Sequence, residues 1–66
     1  MKRNEFIKIL AENGVFFFRN GSRHDIYRHS VTGKKTAVPR HNEIDNILAK
    51  EILNELHIEI KSGNKR

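Results

Sequence analysis

Two amphipathic periodicities bracket this chain, and three short runs suited to extended structure lie between them. Near the start, Phe6, Ile9 and Leu10 fall at helical spacing with Ile7 beside them, which predicts a helix over about Glu5 to Asn13 with one apolar face. Asn4 stands where a capping side chain is useful, and Gly14 where a helix commonly ends. Val15-Phe16-Phe17-Phe18 reads as a strand, because β-branched and aromatic side chains suit a pleated surface. At least one of the three phenylalanines is expected in the core of so small a domain, and two are predicted there. Asn20-Gly21-Ser22 has turn chemistry, since glycine accepts positive φ and the Asn and Ser side chains bond their own backbone. A second strand follows from about His24. Alternation places His24, Ile26 and Arg28 on one of its faces and Asp25, Tyr27 and His29 on the other.

Thr32-Gly33 interrupts the pattern, and Lys35-Thr36-Ala37-Val38 has the composition of a third strand closed by Pro39, which cannot donate to a ladder. Asn42 is the next capping candidate, with Asp45 at the capping-box position, so a second helix is predicted from near Glu43. Ile44, Ile47, Leu48, Ile52, Leu53 and Leu56 form its apolar stripe. Ile58 and Ile60 read as a short packed tail, and residues 61–66 are small and polar enough to stay disordered. The expected architecture is α+β in the order α-β-β-β-α, a single domain over residues 1–60 with a three-stranded antiparallel sheet and both helices on one face. The other face is left open, and with Tyr27 turned inward it is the face that carries His24.

Charge sharpens the picture. The 66 residues carry a formal charge of +5, and the excess lies in one segment. Between Arg19 and His41 stand Arg19, Arg23, Arg28, Lys34, Lys35 and Arg40 against the single acid Asp25, while the remainder is balanced. A local cationic field of this kind suits a polyanion. There is no cysteine, so neither a disulfide framework nor a thiolate metal site is available, and the core alone must stabilise a small fold. No apolar run approaches the roughly 18 residues of a membrane span, and a cytoplasmic location is expected.

Several of these residues also carry a family likeness. A first helix ending at Gly14, the turn Asn20-Gly21-Ser22-Arg23-His24, Tyr27 in the following strand, and Val38-Pro39-Arg40-His41 before the last helix occur in order over nearly the whole chain. In these features the chain resembles the HicA family of small toxins from bacterial and archaeal toxin–antitoxin systems. That resemblance implies a double-stranded-RNA-binding-domain-like fold, mRNA interferase activity and a HicB-like antitoxin as partner. It puts the family's catalytic histidine on His24, with Gly21 and Ser22 in the turn that presents it. The chain departs from the common pattern at Arg23, where a second histidine often stands, and at His57, where glycine is usual.

RNA carries its own nucleophile, the 2′-OH, so cleavage needs a base for that proton and cations for the crowded phosphate. A neutral imidazole is suited to the first task, and a positioned general base contributes about 10²–10⁴-fold in rate. Arg23 and Arg28 are candidates to hold phosphate, and Lys34, Lys35 and Arg40 to track the backbone. His29 falls on the opposite face from His24, and His41 reads as satisfying the start of the last helix, so neither is the first choice for protonating the leaving oxygen. Asp25, Glu43 and Asp45 do not form a metal-ligand set, so no metal and no cofactor are expected. Two other readings stand beside the nuclease. One is a non-catalytic RNA-binding module of the same shape, which fits poorly with the acidic opening Asn42-Glu43-Ile44-Asp45 of the last helix. The other is a subunit that acts only by binding another protein.

Overall fold

A computed structural model describes residues 1–58 and contains the expected order of elements. Helix α1 spans Arg3–Glu12, strands β1, β2 and β3 span Val15–Asn20, His24–His29 and Lys35–Pro39, and helix α2 spans Asn46–Glu55. The strands pair antiparallel in the order β1-β2-β3, so β2 is central. Tyr27 lies opposite Phe17 on one side and Thr36 on the other, and Asp25 opposite Asn20 and Val38. Alternation then sorts the faces. Tyr27, Thr36 and Val38 are buried, whereas His24, Arg28, Lys35 and Ala37 are exposed. Phe6 and Leu10 of α1 and Ala49, Ile52 and Leu53 of α2 join Val15, Tyr27, Val38, Ile44, Leu56 and Ile58 in one core cluster. Each fully buried side chain of this kind stabilises the fold by about 1.5–3 kcal/mol.

Both helices begin elsewhere than the sequence suggests, for one shared reason. α1 starts at Arg3 with Lys2 as its N-cap and no capping side chain, so Asn4 lies inside the first turn. The exposed amide of Arg3 is instead satisfied by the carbonyl of Asn42 at 2.8 Å. The amide of Ile44 donates to the carbonyl of Met1 at 2.7 Å, and Lys2 and Glu43 form an isolated antiparallel bridge. Residues 42–44 are therefore extended to pair with the beginning of the chain, and α2 is delayed to Asn46. Asp45 is itself the N-cap, its side chain accepting from the amide of Ile47 at 2.8 Å. Ile44 is buried from this extended segment and not from the helix stripe. Gly14 ends α1 as expected, with φ +82°.

The phenylalanines correct a second expectation. Phe16, Phe17 and Phe18 are 51%, 53% and 45% exposed, and none belongs to the core. Eleven other apolar residues fill the interior without them. Phe17 meets the Tyr27 ring edge-on at 5.9 Å but sits on an edge strand and stays half open. The pairing register shifts between Phe17 and Arg19, so Phe18 is an extra residue in β1 and Arg19 faces Ile26.

α2 closes in a paired-bond cap around a residue that is not glycine. His57 has φ 59°, its amide donates to the carbonyl of Asn54 at 3.0 Å, and the amide of Ile58 donates to that of Leu53 at 2.8 Å. Ile58 is buried against the same cluster as Leu53, which completes the motif, and this is why the described chain holds a left-handed residue here. Ile60 and the tail over residues 61–66 lie outside the described residues. A side chain in the left-handed region costs about 1–2 kcal/mol, part of which a glycine recovers. His57→Gly is expected to raise the unfolding free energy by about 0.5–1 kcal/mol, seen as a higher urea midpoint at unchanged slope. A lower midpoint would show that the imidazole contributes contacts worth more than the backbone strain.

Candidate functional site

His24 opens β2, opposite Pro39 of β3, with its side chain exposed on the face that the helices leave bare. The turn before it is tight. The amide of Gly21 donates to the carbonyl of His24 at 2.7 Å, and a Cβ built on Gly21 would stand 2.6 Å from that same oxygen. Glycine is required here by close approach; positive φ, the expected reason, is found among the described glycines at Gly14 and Gly33. Ser22 and Arg23 are exposed at the tip.

Asp25, the lone acid of the basic segment, is the hub beneath this turn. Its Oδ1 accepts from Arg40 Nε at 2.9 Å and its Oδ2 from Arg3 Nη2 at 3.0 Å. Arg40 Nη2 also donates to the Gly21 carbonyl at 2.9 Å and reaches that of His24 at 3.5 Å, while Arg3 Nε donates to the Pro39 carbonyl at 2.7 Å. One carboxylate thus ties α1, the β1–β2 turn and the end of β3 together at the base of His24. Arg3 was not anticipated from sequence, because its partner lies 22 residues away; the visible signal was Asp25 standing alone among six cations. Arg40, anticipated as a phosphate contact, has these bonds to make, so contact with phosphate would compete with them.

The remaining cations spread over the open face and its rim. Arg28 and Lys35 are direct cross-strand partners, and both lie over the Phe18 ring, Arg28 Cζ at 5.6 Å and Lys35 Nζ at 5.0 Å from its centre. Among the described residues, Arg19, Arg23, Arg28, Lys34 and Lys35 form no ion pair. Four residues of extended strand separate Arg28 from His24, about 13 Å, so the two reach different phosphates of one strand. Lys34 is exposed in the β2–β3 connection. His29 is a turn residue, its Nδ1 accepting from the amides of Val31 at 3.1 Å and Thr32 at 3.3 Å. His41 is exposed between β3 and α2 and does not join His24. Among the described residues no three His, Asp or Glu side chains gather as a metal site, and no helix is long and apolar enough to cross a membrane.

The site is thus a histidine on the open sheet face of a small α-β-β-β-α domain. A family model described as the HicA toxin of bacterial toxin-antitoxin systems matches residues 3–58, and the chain belongs to that family. Membership implies a partner antitoxin. No curated protein and no solved structure matches the chain.

The hub makes a stability prediction that separates its members. Asp25 is 17% exposed and serves two guanidinium groups, whereas Arg40 is 44% exposed and its pairing is screened. Asp25→Ala is expected to cost about 2 kcal/mol in urea unfolding and Arg40→Ala about 1 kcal/mol or less, since hydrogen bonds to charged groups are worth about 1.5–3 kcal/mol when sheltered. Equal costs would mean that Arg3 contributes little to holding the carboxylate.

Proposed function

We propose that the chain is an endoribonuclease toxin, an mRNA interferase in which His24 is the general base. The observation that carries this reading is the exposed His24 side chain on an open sheet face, set on a backbone fixed by Gly21 and Arg40, with the unpaired Arg28 further along the same face. In the proposed step His24 takes the proton of a ribose 2′-OH, the resulting oxygen attacks the adjacent phosphorus, and the bond to the 5′-oxygen breaks. That oxygen gains a proton from water. One fragment ends in a 2′,3′-cyclic phosphate and the other begins with a 5′-hydroxyl. Arg23, next to His24 in sequence, is the proposed partner for the developing charge, and Arg28, Lys34 and Lys35 hold the backbone further along the strand. The proposed step calls for no metal, because the nucleophile belongs to the substrate, His24 is its base and the arginines meet the phosphate charge. Inhibition is steric: a HicB-like antitoxin with an acidic surface covers the open face and stabilises a marginal domain by mass action.

His24→Ala removes an exposed side chain, so the protein should fold with a stability change of no more than about 1 kcal/mol. RNA cleavage and growth inhibition should fall by at least about 10², while RNA and antitoxin binding persist. His41→Ala should keep substantial activity. His29→Ala should do so too, with about 1 kcal/mol of stability lost through the two amides it leaves open. A folded His24→Ala protein that cuts RNA at the wild-type rate would move the active site, with His41 the next candidate.

Cleavage of RNA by the pure protein should proceed in chelator and weaken with rising salt. Strict dependence on added Mg²⁺ or Mn²⁺ would overturn the proposed chemistry. Retention of RNA without cleavage would favour the binding-module reading instead.

A further inference from the structure

Three half-exposed phenylalanines in a row are unusual in a domain this short of core, and two of them share a face with the cations. Phe16 is the direct partner of Arg28, and the Phe18 ring lies under Arg28 and Lys35. Arg28 and Lys35 are themselves directly opposite each other, a like-charge pair that disfavours the sheet and that no carboxylate relieves among the described residues. The cation–π contacts to the Phe18 ring offset this repulsion only in part, and they leave the open Phe16 without a packing role. Apolar surface left open and charge left uncompensated at the same spot fit a ligand that is both aromatic and anionic.

We infer that Phe16 and Phe18, with Arg28 and Lys35, form a subsite that stacks unpaired nucleobases of a single-stranded RNA beside the cleavage site. The two cations transfer from the Phe18 ring to a phosphate, and the freed aromatic face takes a base. Every base has a π-face, so such stacking tolerates any sequence, but it requires the base to be out of a duplex. In A-form RNA the bases are stacked on one another and offer a protein only groove edges and backbone. The subsite therefore selects single strands, loops and bulges over paired RNA. About 13 Å of strand separates Arg28 from His24, a length that a few nucleotides of an extended chain cover. The bulge at Phe18 contributes directly: the extra residue brings a second phenylalanine ring to Arg28, which already faces Phe16, and to Lys35 beyond it.

This inference rests on the reading of the chain as an RNA-cutting toxin, and the test separates the two. The folded His24→Ala protein is titrated with a short RNA, either as a single strand or annealed to its complement, and the same pair is offered to wild-type protein for cleavage. The single strand is expected to bind at least about tenfold more tightly and to be the form cut. Phe18→Ala and Phe16→Ala, each in the His24→Ala background, should weaken single-strand binding by about fivefold or more, in line with the cost of losing one stacked base. Phe18→Tyr should retain binding, and Phe18→Leu, which keeps apolar bulk without a π-face, should not. An oligonucleotide carrying abasic positions should lose affinity for the His24→Ala protein and little for the Phe18→Ala double variant. Equal binding of single strand and duplex, or wild-type affinity in Phe18→Leu, would overturn the subsite while leaving cleavage by His24 standing. So would a Phe18→Ala protein that keeps its RNA affinity but no longer binds the antitoxin, since the patch would then be a protein-docking surface. Absence of any RNA binding or cleavage by the wild-type protein would remove the nuclease reading, and the subsite with it.

Discussion

The apolar residues of this chain suffice to cover one side of one small sheet, and the rest of the structure follows from that limit. Both helices contribute to the single core cluster with Val15, Tyr27 and Val38, so the opposite sheet face has nothing left to cover it. Strand alternation then turns a packing shortage into an open, polar surface: the β2 side chains on that face include the exposed His24 and Arg28. Burial of Tyr27 fixes the phase, because a slip by one residue would bring the apolar set out and turn His24 in.

Electrostatics are divided by the same geometry. Asp25 lies on the other side of β2 from His24, where it engages Arg3 and Arg40 and removes both from the free cation count. A sheltered carboxylate with two guanidinium partners is a positional device, holding the turn from below while leaving the exposed face wholly positive. The cations thus fall into two systems, Arg3 and Arg40 paired to Asp25 and the rest open to an anion.

Much of this was legible from the residues in order. Period-two and period-three-to-four patterns located all five elements, Gly14 closed α1, and the phase of β2 placed His24, Ile26 and Arg28 together. Misreadings occurred where distant segments decide a local outcome. The Asn42 and Asn4 caps fail because residues 42–44 pair with the start of the chain, which no local window contains. Hydrophobicity predicts two of the three phenylalanines in the core, yet residues of the helices and of all three strands fill it without them. Arg40 looks like any surface cation until the turn folds back to offer it a carboxylate and a carbonyl. The identity of His24 as a candidate came from its turn and its family likeness together, since an exposed histidine alone carries little information.

β1 runs along the rim of the sheet with open backbone groups and three aromatic side chains, the combination that invites copies of a protein to add to one another strand by strand. Its irregularity between Phe17 and Arg19 breaks the even spacing that such addition needs, and Arg19 places a charge where a neighbouring strand would lie. The extra residue that aims one ring at two cations also blunts this edge against strand addition. Repairing the bulge by deleting Phe18 would straighten the rim and expose a regular, aromatic edge, a template for self-association.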